Sequence, residues 1–227
     1  MASITPMNDS DRERVSAAVA AAEGRSAGEI VTIMAQRSDD YADVALAWAA
    51  FVGLLALTAL MIAPDFYLGL YERLTGGWVH EWTPRTVFGV ALLVTTLKVG
   101  GTWLILLWRP LRLWLTPGPI RHRRVRERAV SAFKIGAERR THGRTGILIY
   151  LSLAEHRAEI VADEAIASKV APEVWGDAMA AMLADLKQDR MADGLIAAVE
   201  KVGAVLAEHF PRADDDQNEL PDRLIEL

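Results

Sequence analysis

Two long apolar segments interrupt an otherwise amphipathic chain. Residues 44–63 contain no charged side chain, and residues 86–108 contain one, Lys98. A helix needs about 20 mostly apolar residues to cross a bilayer core, because lipid offers no partner to an unpaired backbone amide. The pattern predicts transmembrane helices at 44–63 and 86–108, joined by an extracytoplasmic loop at 64–85.

The flanks of these segments predict their orientation. The loop at 64–85 carries two arginines, whereas the region after the second segment is rich in them, at Arg109, Arg112, Arg121, Arg123, Arg124, Arg126 and Arg128. Basic residues concentrate on the cytoplasmic side of a membrane. The N-terminal stretch also lacks the continuous apolar run of an export signal. We therefore expect two spans in a bacterial inner membrane, with both termini in the cytoplasm.

Lys98 lies near the middle of the second apolar segment. A lysine at this depth is costly in lipid and raises a functional hypothesis. In one interpretation its ammonium group pairs with another helix or subunit, or extends towards the headgroups. In the other it belongs to an ion or proton pathway. The nearby Gly100 and Gly101 would let helices approach closely, which is compatible with a homo-oligomer.

The polar regions on either side carry helix and strand patterns. The two apolar segments and their loop together form a predicted membrane hairpin. Before this hairpin, Asp9 or Ser10 is placed to cap a helix that ends near Glu23, and a β-branched run at 29–36 predicts a strand. After it, strands are predicted at 146–153 and 158–162. Helices are predicted at about 126–140, 164–169, 172–188 and 191–209.

The strand at 29–36 has no partner before the hairpin, and a single strand is not stable alone. The simplest arrangement pairs it with the two strands after the hairpin, so that the hairpin is an insertion within one domain. The predicted fold class is α/β, a small mixed sheet flanked by helices, formed by residues 1–43 and 126–212. A basic juxtamembrane segment at 109–125 and an acidic tail at 213–227 complete the chain.

Several short motifs resemble the TPM domain family. In chain order they are GEIV at 28–31, RTGILIYLSLAEHRAEIVAD at 144–163, Trp175, DGL at 193–195, LAEHFP at 206–211 and NELPD at 218–222. Their order resembles the bacterial membrane-protein branch in which two transmembrane helices interrupt the domain. The resemblance implies a compact α/β fold with a small sheet between helices.

The resemblance implies less about activity. Some exported or plastid TPM domains are associated with acid phosphatase activity, calcium binding, or the assembly and repair of membrane complexes. This chain differs from those relatives, because we expect its domain to lie in the cytoplasm.

Three carboxylates near the predicted strand ends form a candidate metal site. Glu155 follows the strand at 146–153, whereas Asp163 and Glu164 follow the strand at 158–162. If they converge, they could bind calcium or another divalent cation, which prefers oxygen ligands. The structural alternative is that Asp163 caps the next helix and Glu155 is a turn residue.

The acidic tail at the end of the chain lacks the spacing of a calcium loop. A solvated segment is expected for its acidic residues, Asp214, Asp215, Asp216, Glu219 and Asp222.

The arginine-rich segment after the hairpin predicts contact with lipid. Anionic headgroups attract each nearby arginine by about 1 kcal/mol. The residues that we expect to make this contact are Arg121, Arg123, Arg124 and Arg126.

Composition narrows the function further. A net charge of −5 argues against nucleic acid, and the absence of cysteine excludes disulfides and thiolate sites. No nucleophile elbow, phosphate loop or zinc-protease motif is present. The leading hypothesis is a non-enzymatic module that binds or scaffolds another membrane protein and needs no cofactor. The alternative is a metal-dependent phosphatase, and the third is a small oligomeric channel or transporter that uses Lys98.

Overall fold

The computed structural model describes residues 7–76, 82–136, 145–212 and 224–227. The helices are α1 (Asp9–Glu23), α2 (Ala42–Ile62), α3 (Pro64–Thr75), α4 (Pro84–Ile105), α5 (Arg109–Leu115), α6 (Gly118–Gly136), α7 (Glu164–Ala167), α8 (Pro172–Leu186) and α9 (Met191–His209). The strands are β1 (Glu29–Ala35), β2 (Gly146–Ser152), β3 (Arg157–Ala162) and β4 (Ile225–Glu226). The chain divides into two compact units, one formed by 1–39 with 118–227 and the other by 40–117.

The first unit contains a mixed sheet with the strand order β3-β2-β1-β4. β1 pairs in parallel with β2, from Glu29 opposite Gly146 to Ala35 opposite Ser152. β2 and β3 are antiparallel and form a hairpin. The pairing of β1 with β2 joins segments from both sides of the apolar helices, which confirms the predicted insertion within one α/β fold.

The end of the chain departs from the predicted solvated tail. β4 pairs in parallel with β1, and Arg12 of α1 holds its Glu226 through two hydrogen bonds of 3.0 and 3.1 Å. The acidic residues at 214–222 lie outside the described residues. β4 is only two residues long and therefore does not reach the start of β1. There the N–H of Ile30 donates instead to the buried carboxylate of Glu23, at 2.7 Å.

Helices cover both faces of this sheet. On one face, α1, α7, α8 and α9 pack a large core against the side chains of Ile30, Ile147 and Ile149. On the other face, α6 packs Val125, Ala129 and Phe133 against the opposite side chains of β1 and β2. Side chains alternate between the faces of a strand, so the buried strands are apolar throughout. The first unit is therefore a three-layer α/β sandwich.

Two glycines let the large core close tightly. A Cβ at Gly203 of α9 would lie 2.6 Å from the Cβ of Ala22 in α1. A Cβ at Gly28, just before β1, would lie 2.9 Å from a methyl carbon of Leu206. Both distances are far shorter than carbon–carbon contact, so these positions accept glycine because the elements touch there.

The structure changes several predicted helix boundaries. Asn8 caps α1 by accepting the Asp11 N–H at 2.7 Å, not Asp9 or Ser10. The predicted loop at 64–85 contains helix α3, which begins at Pro64 and ends before Gly76 in the left-handed region, at a φ of 76°. α6 begins at Gly118 instead of near 126, because a proline at the second helical position is tolerated.

The second unit contains α2 to α5, and two of its helices are long and apolar enough to cross a membrane. Their surfaces are apolar: Leu54 is 65% exposed, Phe88 74% and Leu92 70%. α2 and α4 pack closely, since a Cβ at Gly53 would lie 2.6 Å from a methyl carbon of Val99. Nothing lies within 4 Å of a Cβ built at Gly100 or Gly101, so these two glycines do not serve this helix pair.

Candidate functional site

The proposed metal ligands do not converge. β2 and β3 are antiparallel, so Glu155 in the turn between them lies at one end of the sheet, while Asp163 follows the far end of β3. The six residues of β3 rise about 20 Å between these points. Among the described residues, no three His, Asp or Glu side chains are grouped closely enough to hold a metal ion. The antiparallel turn thus removes the geometric basis of the calcium site.

Asp163 is a buried structural residue. Its Oδ2 accepts the N–H of Gly146 at 3.0 Å, and its own N–H donates to the Gly146 carbonyl at 2.9 Å. It stands at the N-cap position of α7, but its side chain makes no cap hydrogen bond there. The neighbouring Glu164 is exposed. The carboxylate of Asp163 therefore closes the open end of the β2–β3 ladder.

Glu155 ends a buried hydrogen-bonded chain. Its Oε1 accepts the N–H of Ser38 at 3.1 Å, and its Oε2 accepts the hydroxyl of Ser152. The Ser38 hydroxyl donates to Ser152 Oγ at 2.9 Å and lies 3.2 Å from the Tyr150 hydroxyl. Because the Ser38 proton points at Ser152, the phenol is the donor to Ser38. The order of donation thus runs from Tyr150 through both serines to the carboxylate.

This chain changes the properties of Tyr150. Burial raises the pKa of its phenol, and the positive charge of Arg128, which acts in the opposite direction, does not cancel that effect. No motif in the sequence predicted the roles of Ser38, Tyr150 and Ser152. One signal was present: Ser38 and Ser152 stand at the carboxyl ends of two strands that were expected to pair.

The arginines predicted to contact lipid also make contacts within the first unit. Arg124 lies 3.3 Å from Asp39, and Arg126 lies 3.6 Å from Glu159. Arg123 lies 3.7 Å from Glu127, one helical turn away. The Nε atom of Arg121 is buried without a hydrogen-bond partner among the described residues. Three of the four side chains are therefore engaged by protein carboxylates.

Lys98 is exposed on α4. No described residue forms an ion pair with it. The described residues therefore add no support to the interpretation that pairs Lys98 with the other helix, and every interpretation of Lys98 stays a prediction. These interpretations place its ammonium group against another helix or subunit, against headgroups, or in an ion or proton pathway.

An open groove of about 630 Å³ runs along β3 in the first unit. One wall is charged and comes from α6, with His122 and Arg126. The other wall is apolar and comes from α8, with Trp175, Met179 and Leu183. Between the walls lies β3, the last strand on that side of the sheet in the described structure. The groove could not be predicted from the sequence, because no local pattern shows which strand is at an edge.

The charged wall is organised around one carboxylate. Glu159 of β3 is buried, with His122 Nδ1 at 3.4 Å from its Oε1 and Arg126 Nη1 at 3.6 Å from its Oε2. Arg157 Nη1 lies 3.4 Å from His122 Nδ1. This wall thus contains two arginines and one carboxylate, which leaves it positive overall.

A comparison with known protein families finds a match to the part of the chain that forms the groove. Residues 121–205 match the family model of the TPM domain. The chain carries a TPM domain. The matched range includes β2, β3 and every residue that lines the groove. The resemblance inferred from the motifs is therefore confirmed.

A solved structure with a similar fold is the NMR structure of the BA42 protein from Bizionia argentinensis. It is 17% identical to this chain, with a TM-score of 0.56, and the superposition covers 98% of this chain and 97% of that chain. At this identity the likeness concerns the fold alone. It supports the mixed sheet between helices that the TPM domain presents here. Curated proteins give no significant match.

Proposed function

We propose that this chain is a membrane-anchored binding module of the bacterial inner membrane. In this proposal α2 and α4 cross the bilayer, and the TPM domain binds a membrane-associated partner protein from the cytoplasm. The observation that carries the proposal is the groove along β3, which places an apolar wall and a positive wall on either side of an open strand edge. Such concave, mixed surfaces are typical of binding sites.

The pairing of strands across the two apolar helices supports the proposed membrane anchoring. β1 precedes the two apolar helices and pairs with β2, which follows them, so both ends of the insertion must lie on the same side of a membrane. Two spans satisfy this requirement. The arginine-rich stretch after α4 favours the cytoplasm for that side.

Reporter fusions test this orientation. A reporter that is active only outside the cytoplasm should be active within the 64–85 segment and inactive after Leu227. Resistance of the protein to alkaline extraction from membranes should accompany this pattern. An active reporter after Leu227 would contradict the proposed orientation.

Site-specific photo-crosslinking tests the binding function. A photoreactive amino acid at Trp175, in the apolar wall, should give a defined adduct with a membrane protein in intact cells. The matched control is the same substitution at Lys187, which is exposed at the end of α8 but does not line the groove. Equal labelling at both positions, or none at Trp175, would contradict binding through the groove.

The phosphatase alternative has no comparable support, because the structure separates Glu155 from Asp163 and Glu164.

A further inference from the structure

Among the described residues, nothing pairs with the outer edge of the β3 backbone. Glu159 and Val161 lie directly opposite Tyr150 and Leu148, and the Asp163 N–H donates to the Gly146 carbonyl in the same ladder. Because antiparallel pairs alternate between bonded and non-bonded, the odd-numbered residues of β3 bond to β2. The N–H and C=O groups of Ala158, Ile160 and Ala162 therefore point away from the sheet. No described residue bonds to them.

The side chains of β3 alternate between the two walls of the groove. Ala158, Ile160 and Ala162 contribute to the core on the α8 face. Glu159 points to the α6 face, where it meets His122 and Arg126. A strand placed beside β3 would also turn successive side chains to α8 and to α6. One set would meet Trp175, Met179 and Leu183, and the other would meet the positive wall.

We propose that the groove along β3 binds an extended segment of a partner protein as an added strand, with apolar side chains towards α8 alternating with acidic side chains towards α6. This inference rests on the proposed binding function and names its ligand. Main-chain hydrogen bonds supply affinity in this mode of recognition, and the alternate side chains supply specificity. The six residues of β3 match a partner segment of similar length.

A second copy of this chain fits the groove less well. Its own β3 would bring one arginine and one glutamate, Arg157 and Glu159, to the charged face, so its net charge there would be zero. The wall around Arg126 and Arg157 is positive and is complemented by carboxylates. Charge complementarity therefore favours a different protein with an acidic, alternating segment.

The test uses the full chain in nonionic detergent and a fluorescein-labelled octapeptide in which Val and Glu alternate. Fluorescence anisotropy should show saturable binding below about 1 mM. Two control peptides have matched length: one alternates Val and Lys, and the other groups the four Val and four Glu residues in separate blocks. Each control should bind at least about tenfold more weakly, a difference of about 1.4 kcal/mol.

A matched pair of variants locates the site. Arg126→Glu should weaken binding of the Val-Glu peptide several-fold and improve binding of the Val-Lys peptide. Arg123→Glu makes the same charge change on the same helix, at a side chain that is equally exposed (64% against 65%) but outside the groove. It should leave both affinities within about twofold. Equal effects of the two variants would overturn the assignment to the groove.

Backbone methylation identifies strand addition. Only alternate amides of an added strand face β3, so N-methylation of all Val amides or of all Glu amides should abolish binding in one series and preserve it in the other. An antiparallel strand would depend on the Val amides, and a parallel strand on the Glu amides. Hydrogen exchange at Ala158, Ile160 and Ala162 should slow when the peptide binds. Loss of binding in both series, or in neither, would overturn the inference.

The outcomes separate this inference from the proposed function. If Trp175 crosslinks to a membrane protein but the Val-Glu peptide does not bind, the groove recognises another type of surface and strand addition is wrong. If the peptide binds but no crosslink forms in cells, the function proposed for the groove is wrong. A dimer in solution with slow exchange along β3 in the absence of peptide would show that a second copy occupies the edge.

Discussion

The backbone N–H of Ser38 donates a 3.1 Å hydrogen bond to Oε1 of Glu155, which lies 117 residues later in the chain. Ser38 follows β1 immediately before the boundary of the first unit, and Glu155 lies in the turn after β2. The bond fixes the last segment of the domain before the insertion to the turn between β2 and β3, which lies after the insertion. Glu155 thus contributes to folding of the split domain, and its role is structural.

Replacement of Glu155 should destabilise the domain. Glu155→Ala leaves the N–H of Ser38 and the hydroxyl of Ser152 without their acceptor, at a cost of roughly 2–3 kcal/mol in the free energy of unfolding. Denaturant titration of the full chain in detergent measures the difference. Glu164→Ala is the control, because that exposed side chain should change stability by less than about 0.5 kcal/mol. Similar losses in both variants would contradict the structural role of Glu155.

Because of the buried phenol of Tyr150, we expect the folded domain to lose stability in alkaline solution. Burial raises the pKa of its phenol in the folded state above the ordinary value of 10.0. The unfolded chain therefore releases this proton first as the pH rises. The stability that the protonated phenol contributes is fully present below its pKa in the unfolded chain. This contribution is lost as the pH rises through the higher pKa of the folded state. Unfolding curves above about pH 9 should show this decline.

The control for this pH effect is Tyr150→Phe. It removes the titrating group and the hydrogen bond to Ser38, so stability should fall by about 1 kcal/mol near neutral pH. Its alkaline decline should be smaller than that of the wild type. An identical decline would assign the effect to other groups.

Asp163 should behave as a structural residue. Asp163→Ala removes the acceptor of the buried Gly146 N–H and should lower the free energy of unfolding by about 1–3 kcal/mol. Asp163→Asn keeps an acceptor oxygen and should lose less. Thermal unfolding followed by circular dichroism ranks the variants. If Asn and Ala are equally destabilising, the Gly146 bond does not account for the role of Asp163.

Gly203 should be intolerant of even a methyl group. Gly203→Ala places a Cβ where 2.6 Å separates it from the Cβ of Ala22, so α1 and α9 must move apart, at about 1–3 kcal/mol. Gly176→Ala in α8 is the matched control. Nothing lies within 4 Å of its Cβ, and alanine's higher helix propensity should stabilise the chain by up to about 1 kcal/mol. Equal destabilisation of both variants would contradict the close packing of α1 and α9.

The sequence by itself determined the elements whose signals are local. Apolar runs of membrane length identified α2 and α4, and β-branched runs identified β1, β2 and β3. It also determined that β1 needed partners from beyond the apolar helices, since unpaired strand amides are costly. It did not find β4, because two residues carry no recognisable period and depend on the edge of β1 for their pairing.

Only the tertiary structure decided what the polar residues do. The carboxylates at 155 and 163 both follow strands, but the reversal between β2 and β3 sends them to opposite ends of the sheet. The same strand order leaves β3 at an edge between α6 and α8, which creates the groove. Local sequence fixes the type of an element through its periodicity, whereas the neighbours of a strand depend on contacts between distant residues. For this reason the fold class and the insertion could be predicted from the chain, and the groove could not.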